Sequence, residues 1–96
     1  MSSLKAHCEE SMRLFGKTYA EVHQWLDAFA GTVEFGYKHR KKRHHEEGIR
    51  KVCELFGADV AEVARRHIIS DLKEEGWTED VHFPKNERDY VDMGLY

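Results

Sequence analysis

The sequence predicts an all-α fold, a compact bundle of four to five helices with one long central helix, in a single domain over residues 1–96. Three observations carry that reading. Apolar residues recur at spacings of three and four; the lone proline, Pro84, leaves everything before it without a fixed kink; and Gly16, Gly31, Gly57 and Gly76 stand where helices of ordinary length would end. No stretch alternates apolar and polar residues long enough to suggest a strand. With 96 residues there is room for one hydrophobic core, and a 41% apolar share excludes disorder by composition.

Leu4, Cys8, Met12 and Phe15 set the inward stripe of a first helix from Ser3 to Phe15, and Gly16 supplies a left-handed cap. Thr18 and Glu21 form a capping box that starts a second helix near Tyr19. Its apolar line is Tyr19, Val22, Leu26 and Phe29, with Trp25 and Ala30 beside it, and Gly31 ends it. From Thr32 to Phe56 one long helix is the simplest assignment, although Gly36 and Gly48 each cost about 1 kcal/mol relative to Ala and mark places for a kink. Its stripe is clear only at the ends, in Val33, Phe35 and Tyr37 and then in Ile49, Val52, Cys53 and Phe56. Between them KHRKKRHHEE, residues 38–47, has no apolar side chain. Asp59 with Glu62 caps a fourth helix from Val60 to Glu75, with Ala61, Ala64, Ile68 and Leu72 inward. WTEDVHFP should be irregular because proline disfavours helix in the residue before it, and Asn86 caps a last short helix, Glu87 to Met93, ended by Gly94.

No apolar run nears the ~20 residues of a membrane helix, and MSSLKAHCEE lacks the apolar stretch of a signal peptide, so a soluble cytoplasmic protein is expected. Cys8 and Cys53 form no C-x-x-C pair and read as small core residues in a reducing compartment.

The unusual feature is histidine, present at 7, 23, 39, 44, 45, 67 and 82. His23 with Asp27 and His67 with Asp71 share the form H-x-x-x-D. At i,i+4 on a helix both side chains lie on one face, where an imidazole nitrogen and a carboxylate oxygen can bind one metal. The alternative is that each aspartate only accepts a hydrogen bond from its own histidine. Taking about 100° per residue from Ile49 on a continuous third helix, His45 and His39 border the interior, whereas His44 points toward solvent or a partner. The expected ligands of a divalent ion such as zinc or manganese are therefore His39, His45, His67 and Asp71, with His23 and Asp27 as secondary candidates.

Lys38, Arg40, Lys41, Lys42 and Arg43 put five positive charges into residues 38–43, which leaves −8 on the rest of a chain whose formal charge is −3. Arg40 and Lys42 are candidate anion contacts. Nucleic acid is not the expected partner, because no aromatic residue interleaves this run and the acidic remainder repels a polyanion. A solvated face paired with the acidic C-terminal third, within the chain or across a dimer, accounts for it as well. No phosphate-loop, dinucleotide, zincin or nucleophile-elbow motif is present.

HRKKRHHEEGI (residues 39–49), Phe56-Gly57 and HIISDL (residues 67–72) together resemble a family of small bacterial proteins of unassigned activity, with H-R-x-x-x-H-H-x-x-G-I and H-x-x-x-D-L as matched motifs. The chain departs from that pattern in having only Ala58 to Arg66 between the last two stretches. A more distant likeness, in ligand types alone, is to HD-type metal phosphohydrolases; no adjacent His-Asp dipeptide occurs here.

The expected function is a small helical protein, a homodimer, holding a divalent metal or a phosphate-like anion at a His/Asp site. Metal-assisted hydrolysis of a phosphate ester is the reaction class these parts allow, with a small phosphate-containing molecule as ligand. The competing expectation is a non-enzymatic interaction module whose basic segment 38–43 docks an acidic patch on a second copy or another protein.

Overall fold

The computed structural model describes residues 4–28 and 42–95, and among them the chain forms five α-helices and no strand. They are α1 (Leu4–Phe15), α2 (Ala20–Leu26), α3 (Glu46–Phe56), α4 (Ala61–Glu74) and α5 (Glu87–Asp92), with a 3-10 turn at Ala58–Val60. No helix of the described residues is long and apolar enough to cross a membrane. The core is built by Val22 and Leu26 of α2, Ile49 and Val52 of α3, Val63, Ala64, Ile68 and Leu72 of α4, and Tyr90 of α5, with Val60 and Trp77 closing its ends.

Gly16 ends α1 at φ +80°, in the left-handed conformation that glycine adopts without a Cβ penalty. The face that α1 turns inward is not the expected one. His7 and Ser11 are buried, whereas Leu4, Met12 and Phe15 are 40%, 50% and 37% exposed. What α1 meets on α2 and α4 is imidazole, so its two polar residues at i,i+4 turn inward in place of the apolar stripe.

The Thr18–Glu21 capping box does not form. Tyr19 occupies the N-cap position of α2 at φ 52°, ψ 39°, with no side-chain cap. Left-handed geometry at Tyr19 prevents the helix from starting there, and its carbonyl accepts from Val22 and His23 instead. The helix gives way at Asp27 rather than Gly31. Phe29 and Ala30, together with Thr32–Lys41, lie outside the described residues.

A continuous helix from Thr32 to Phe56 is also overturned. His45 is extended (φ −159°, ψ 177°), so α3 begins only at Glu46. The orphan N–H groups of its first turn all have acceptors: Glu46 donates to the Pro84 carbonyl, Glu47 to the Lys85 carbonyl, and Gly48 to His45 Nδ1, each at 3.0 Å. Gly48 is not a kink. A Cβ there would lie 2.7 Å from the Arg43 carbonyl carbon, so only glycine lets the 42–45 turn fold down onto α3. At the far end Phe56 is 40% exposed and not inward.

Asp59 does not cap α4, because the 3-10 turn runs straight into it and Val60 already has helical angles. Asn86 does cap α5, accepting from Asp89 N at 2.9 Å. Between α4 and α5 the Trp77 indole donates to the His82 carbonyl, and the buried Tyr90 hydroxyl donates to Glu75 at 2.7 Å. Cys8 and Cys53 are free thiols, half-buried rather than in the core.

Candidate metal centre

Four imidazoles meet where α1, α2, α4 and the turn before α3 come together. His7, His23, His44 and His67 are 3%, 2%, 0% and 0% exposed, and Asp71 is 1% exposed. Periodicity explains three of the placements: His7 and Ser11 on α1 and His67 and Asp71 on α4 are i,i+4 pairs on one helix face, and Asp27, the C-cap of α2, stands the same four positions after His23. The fourth comes from the turn that Gly48 admits, which carries His44 inward.

The polar atoms converge. His44 Nε2 is 2.9 Å from Asp71 Oδ2 and 3.4 Å from Asp27 Oδ1. His67 Nε2 is 3.4 Å from each of the same two oxygens and 3.2 Å from His44 Nε2. His7 stacks on His67 with ring centroids 3.7 Å apart and brings its Nε2 to 3.4 Å from Asp71 Oδ1 without a hydrogen bond. On the other side of His67, His23 Nδ1 lies 2.8 Å from His67 Nδ1 and His23 Nε2 lies 2.7 Å from Ser11 Oγ. The Asp27 side chain, 23% exposed, is the part of the cluster open to solvent. Beside α1 a cavity of about 230 Å³, lined by Ala6, His7, Glu9, Glu10, Arg13 and Ser70, reaches the cluster at His7.

The electrostatics disfavour charge on the His23 ring and favour it on the Asp71 carboxylate. Burial lowers the His23 pKa to about 4, helped by His67 and His7 and opposed by Asp27 and the Thr18 carbonyl. Burial alone would raise the Asp71 carboxyl, but the contacts of His44 and His67 with its Oδ2, with the His7 ring 3.4 Å from its Oδ1, outweigh it and hold the group well below the usual carboxylate range. Neutral imidazole nitrogens and carboxylate oxygens are the donors that zinc and manganese take. The described residues thus contain a buried His/Asp group that could hold a metal ion.

A family model described as a domain of unknown function, DUF6915, matches residues 2–94. The chain belongs to the DUF6915 family. No curated protein and no solved structure matches it.

Of the residues the sequence singled out in this DUF6915 chain, the structure brings His67, Asp71, His23 and Asp27 together. His39 and Arg40 lie outside the described residues. His45 gives Nδ1 to the N-terminus of α3. Lys42 pairs with Glu87 at 3.4 Å, and the Arg43 guanidinium lies 3.9 Å over the Trp25 ring while donating to the Trp25 carbonyl at 2.7 Å. His82, outside the cluster, pairs with Asp89 at 3.0 Å. Sequence reasoning missed His7, Ser11 and His44. His44 was turned outward by a rotation of 100° per residue that holds only within a helix, and residues 42–45 are not α-helical. For His7 the available signal was that H-x-x-x-S at 7 and 11 repeats the spacing of the two H-x-x-x-D pairs.

Proposed function

We propose that this DUF6915 protein binds a divalent cation, zinc or manganese, between His44 Nε2, His67 Nε2, Asp27 Oδ1 and Asp71 Oδ2. The observation that supports this most is the spacing of those atoms, 2.9 to 3.4 Å in the five pairs given above. Donors bound at about 2.0–2.1 Å lie about 3.3–3.4 Å apart around a tetrahedral ion and about 2.9 Å apart at right angles around an octahedral one. Charge points the same way. The Asp71 carboxylate, held in its ionised form, places negative charge in a largely buried site, and a divalent ion neutralises it. His7 Nε2, lacking a hydrogen bond, is available as a further donor.

When bound, such an ion activates a water and polarises a phosphoryl oxygen. Hydrolysis of a phosphate ester is the reaction class attached to this reading. An interaction module working through residues 38–43 is favoured less, because Lys42 and Arg43 are engaged within the chain by Glu87 and Trp25.

Calorimetric titration of the chelator-treated protein with zinc and with manganese tests the binding. One ion per chain is expected, with affinity falling at least 100-fold in Asp71→Asn, which keeps the shape but not the charge, and in His67→Ala. Equal affinity in wild type and both variants would overturn the proposal. Aryl phosphate hydrolysis no faster with the loaded protein than with the free ion would remove the reaction class alone.

A further inference from the structure

His23 Nδ1 and His67 Nδ1 are 2.8 Å apart, closer than the ~3.3 Å of two nitrogens on one tetrahedral zinc and within hydrogen-bond range. One ring therefore donates and the other accepts. Beyond His23, the 2.7 Å contact of its Nε2 with Ser11 Oγ is a second such bond. Ser11, His23 and His67 are each no more than 3% exposed, so the three groups serve one another rather than bulk water. The line runs from Ser11 on α1 through His23 on α2 to His67 on α4, and it ends at His67 Nε2 facing Asp27, Asp71 and His44.

We propose that Ser11, His23 and His67 form a tautomer switch coupled to metal occupancy at His67 Nε2. It rests on the metal reading above. In the metal-free protein His67 Nε2 faces two carboxylate oxygens, each at 3.4 Å, and so carries its ring's proton. Its Nδ1 is then a lone pair that accepts from His23 Nδ1–H, and His23 Nε2 accepts from the Ser11 hydroxyl. A metal on His67 Nε2 requires the lone pair there. The His67 proton then sits on Nδ1 and donates to His23 Nδ1, while His23 Nε2–H donates to Ser11 Oγ.

The protons balance. One leaves His67 Nε2 for solvent, one passes from His23 Nδ1 to His67 Nδ1, and one enters from solvent at the Ser11 end to protonate His23 Nε2. Both rings stay neutral, and the serine keeps its hydroxyl proton but turns from donor to acceptor. A hydroxyl suits this position because it serves either role by rotation. Ser11 and His23 are thus positioning residues, which act on the metal through His67.

The test is ¹⁵N NMR of the imidazoles with and without zinc. In the metal-free protein His67 should be protonated at Nε2 and His23 at Nδ1, and one equivalent of zinc should exchange both. Ser11→Ala should weaken zinc binding about 10-fold, as loss of a group orienting a ligand does, and shift the His23 nitrogens before any zinc is added; Ser11→Thr should restore both. The proposal is overturned if metal-free His23 carries its proton on Nε2, if zinc saturation leaves the His23 tautomer unchanged, or if Ser11→Ala binds zinc like wild type. Failure of zinc to bind the wild type would instead contradict the metal reading, and the metal-free tautomers tell the two failures apart.

Discussion

His44 and His45 are adjacent and have different tasks. His45 Nδ1 accepts the Gly48 N–H at the start of α3, whereas His44 Nε2 meets Asp71 at 2.9 Å. His45→Ala should therefore cost about 1 kcal/mol in urea unfolding, the usual loss for an N-cap, with zinc affinity intact. His44→Ala should abolish tight zinc binding. The reverse pattern would show that the roles are swapped. His23 makes a second prediction. Its pKa is about 4 in the fold against 6.5 when unperturbed, so between those values the unfolded chain takes a proton that the folded one refuses. Stability is complete above pH 6.5 and falls as pH drops toward 4, by roughly 3 kcal/mol for a difference of that size. Asp71, depressed instead, adds a loss at lower pH, beginning near its unperturbed 3.8. Unfolding measured between pH 7 and 4.5 should show a flatter slope in His23→Gln, and an unchanged slope would contradict the assignment. At this scale the H-x-x-x-D pairs were legible in the sequence because the two residues of a pair lie one helical turn apart, Asp27 at the C-cap of α2 and Asp71 within α4. His44 was not, because its direction is decided by a close backbone approach that only a glycine permits.

Among the elements, α4 was the most readable, since Ala64, Ile68 and Leu72 are all buried at the expected spacing. The starts of α2 and α3 were not. Tyr19 is left-handed where the local pattern pointed to a helix, and the start after the extended His45 is held by the Pro84 and Lys85 carbonyls, far away in sequence. α1 carries the clearest physical lesson. Its inward residues are polar and its apolar ones are substantially exposed, so hydrogen bonding and ring stacking at the cluster hold it more than burial of aliphatic surface does. In hydrogen exchange the amides of α1 should open well before those of α4 in the metal-free protein, and zinc should slow α1 by fixing the rings it leans on. Exchange in α1 as slow as in α4 without metal, or indifferent to zinc, would contradict this.

In the molecule as a whole the described part of the apolar gap, residues 42–47, sends His44 into a polar cluster where a larger protein would place more core. All-helical architecture followed from periodicity and glycine punctuation, but the meeting of four chain segments at one cluster is long-range information that no local pattern carries. Anomalous diffraction at the zinc edge from zinc-loaded crystals locates the ion in that cluster. One peak is expected inside it, within about 2.0–2.2 Å of His44 Nε2, His67 Nε2 and a carboxylate oxygen of each of Asp27 and Asp71. A peak elsewhere, or none at full zinc occupancy of the solution, would contradict that site.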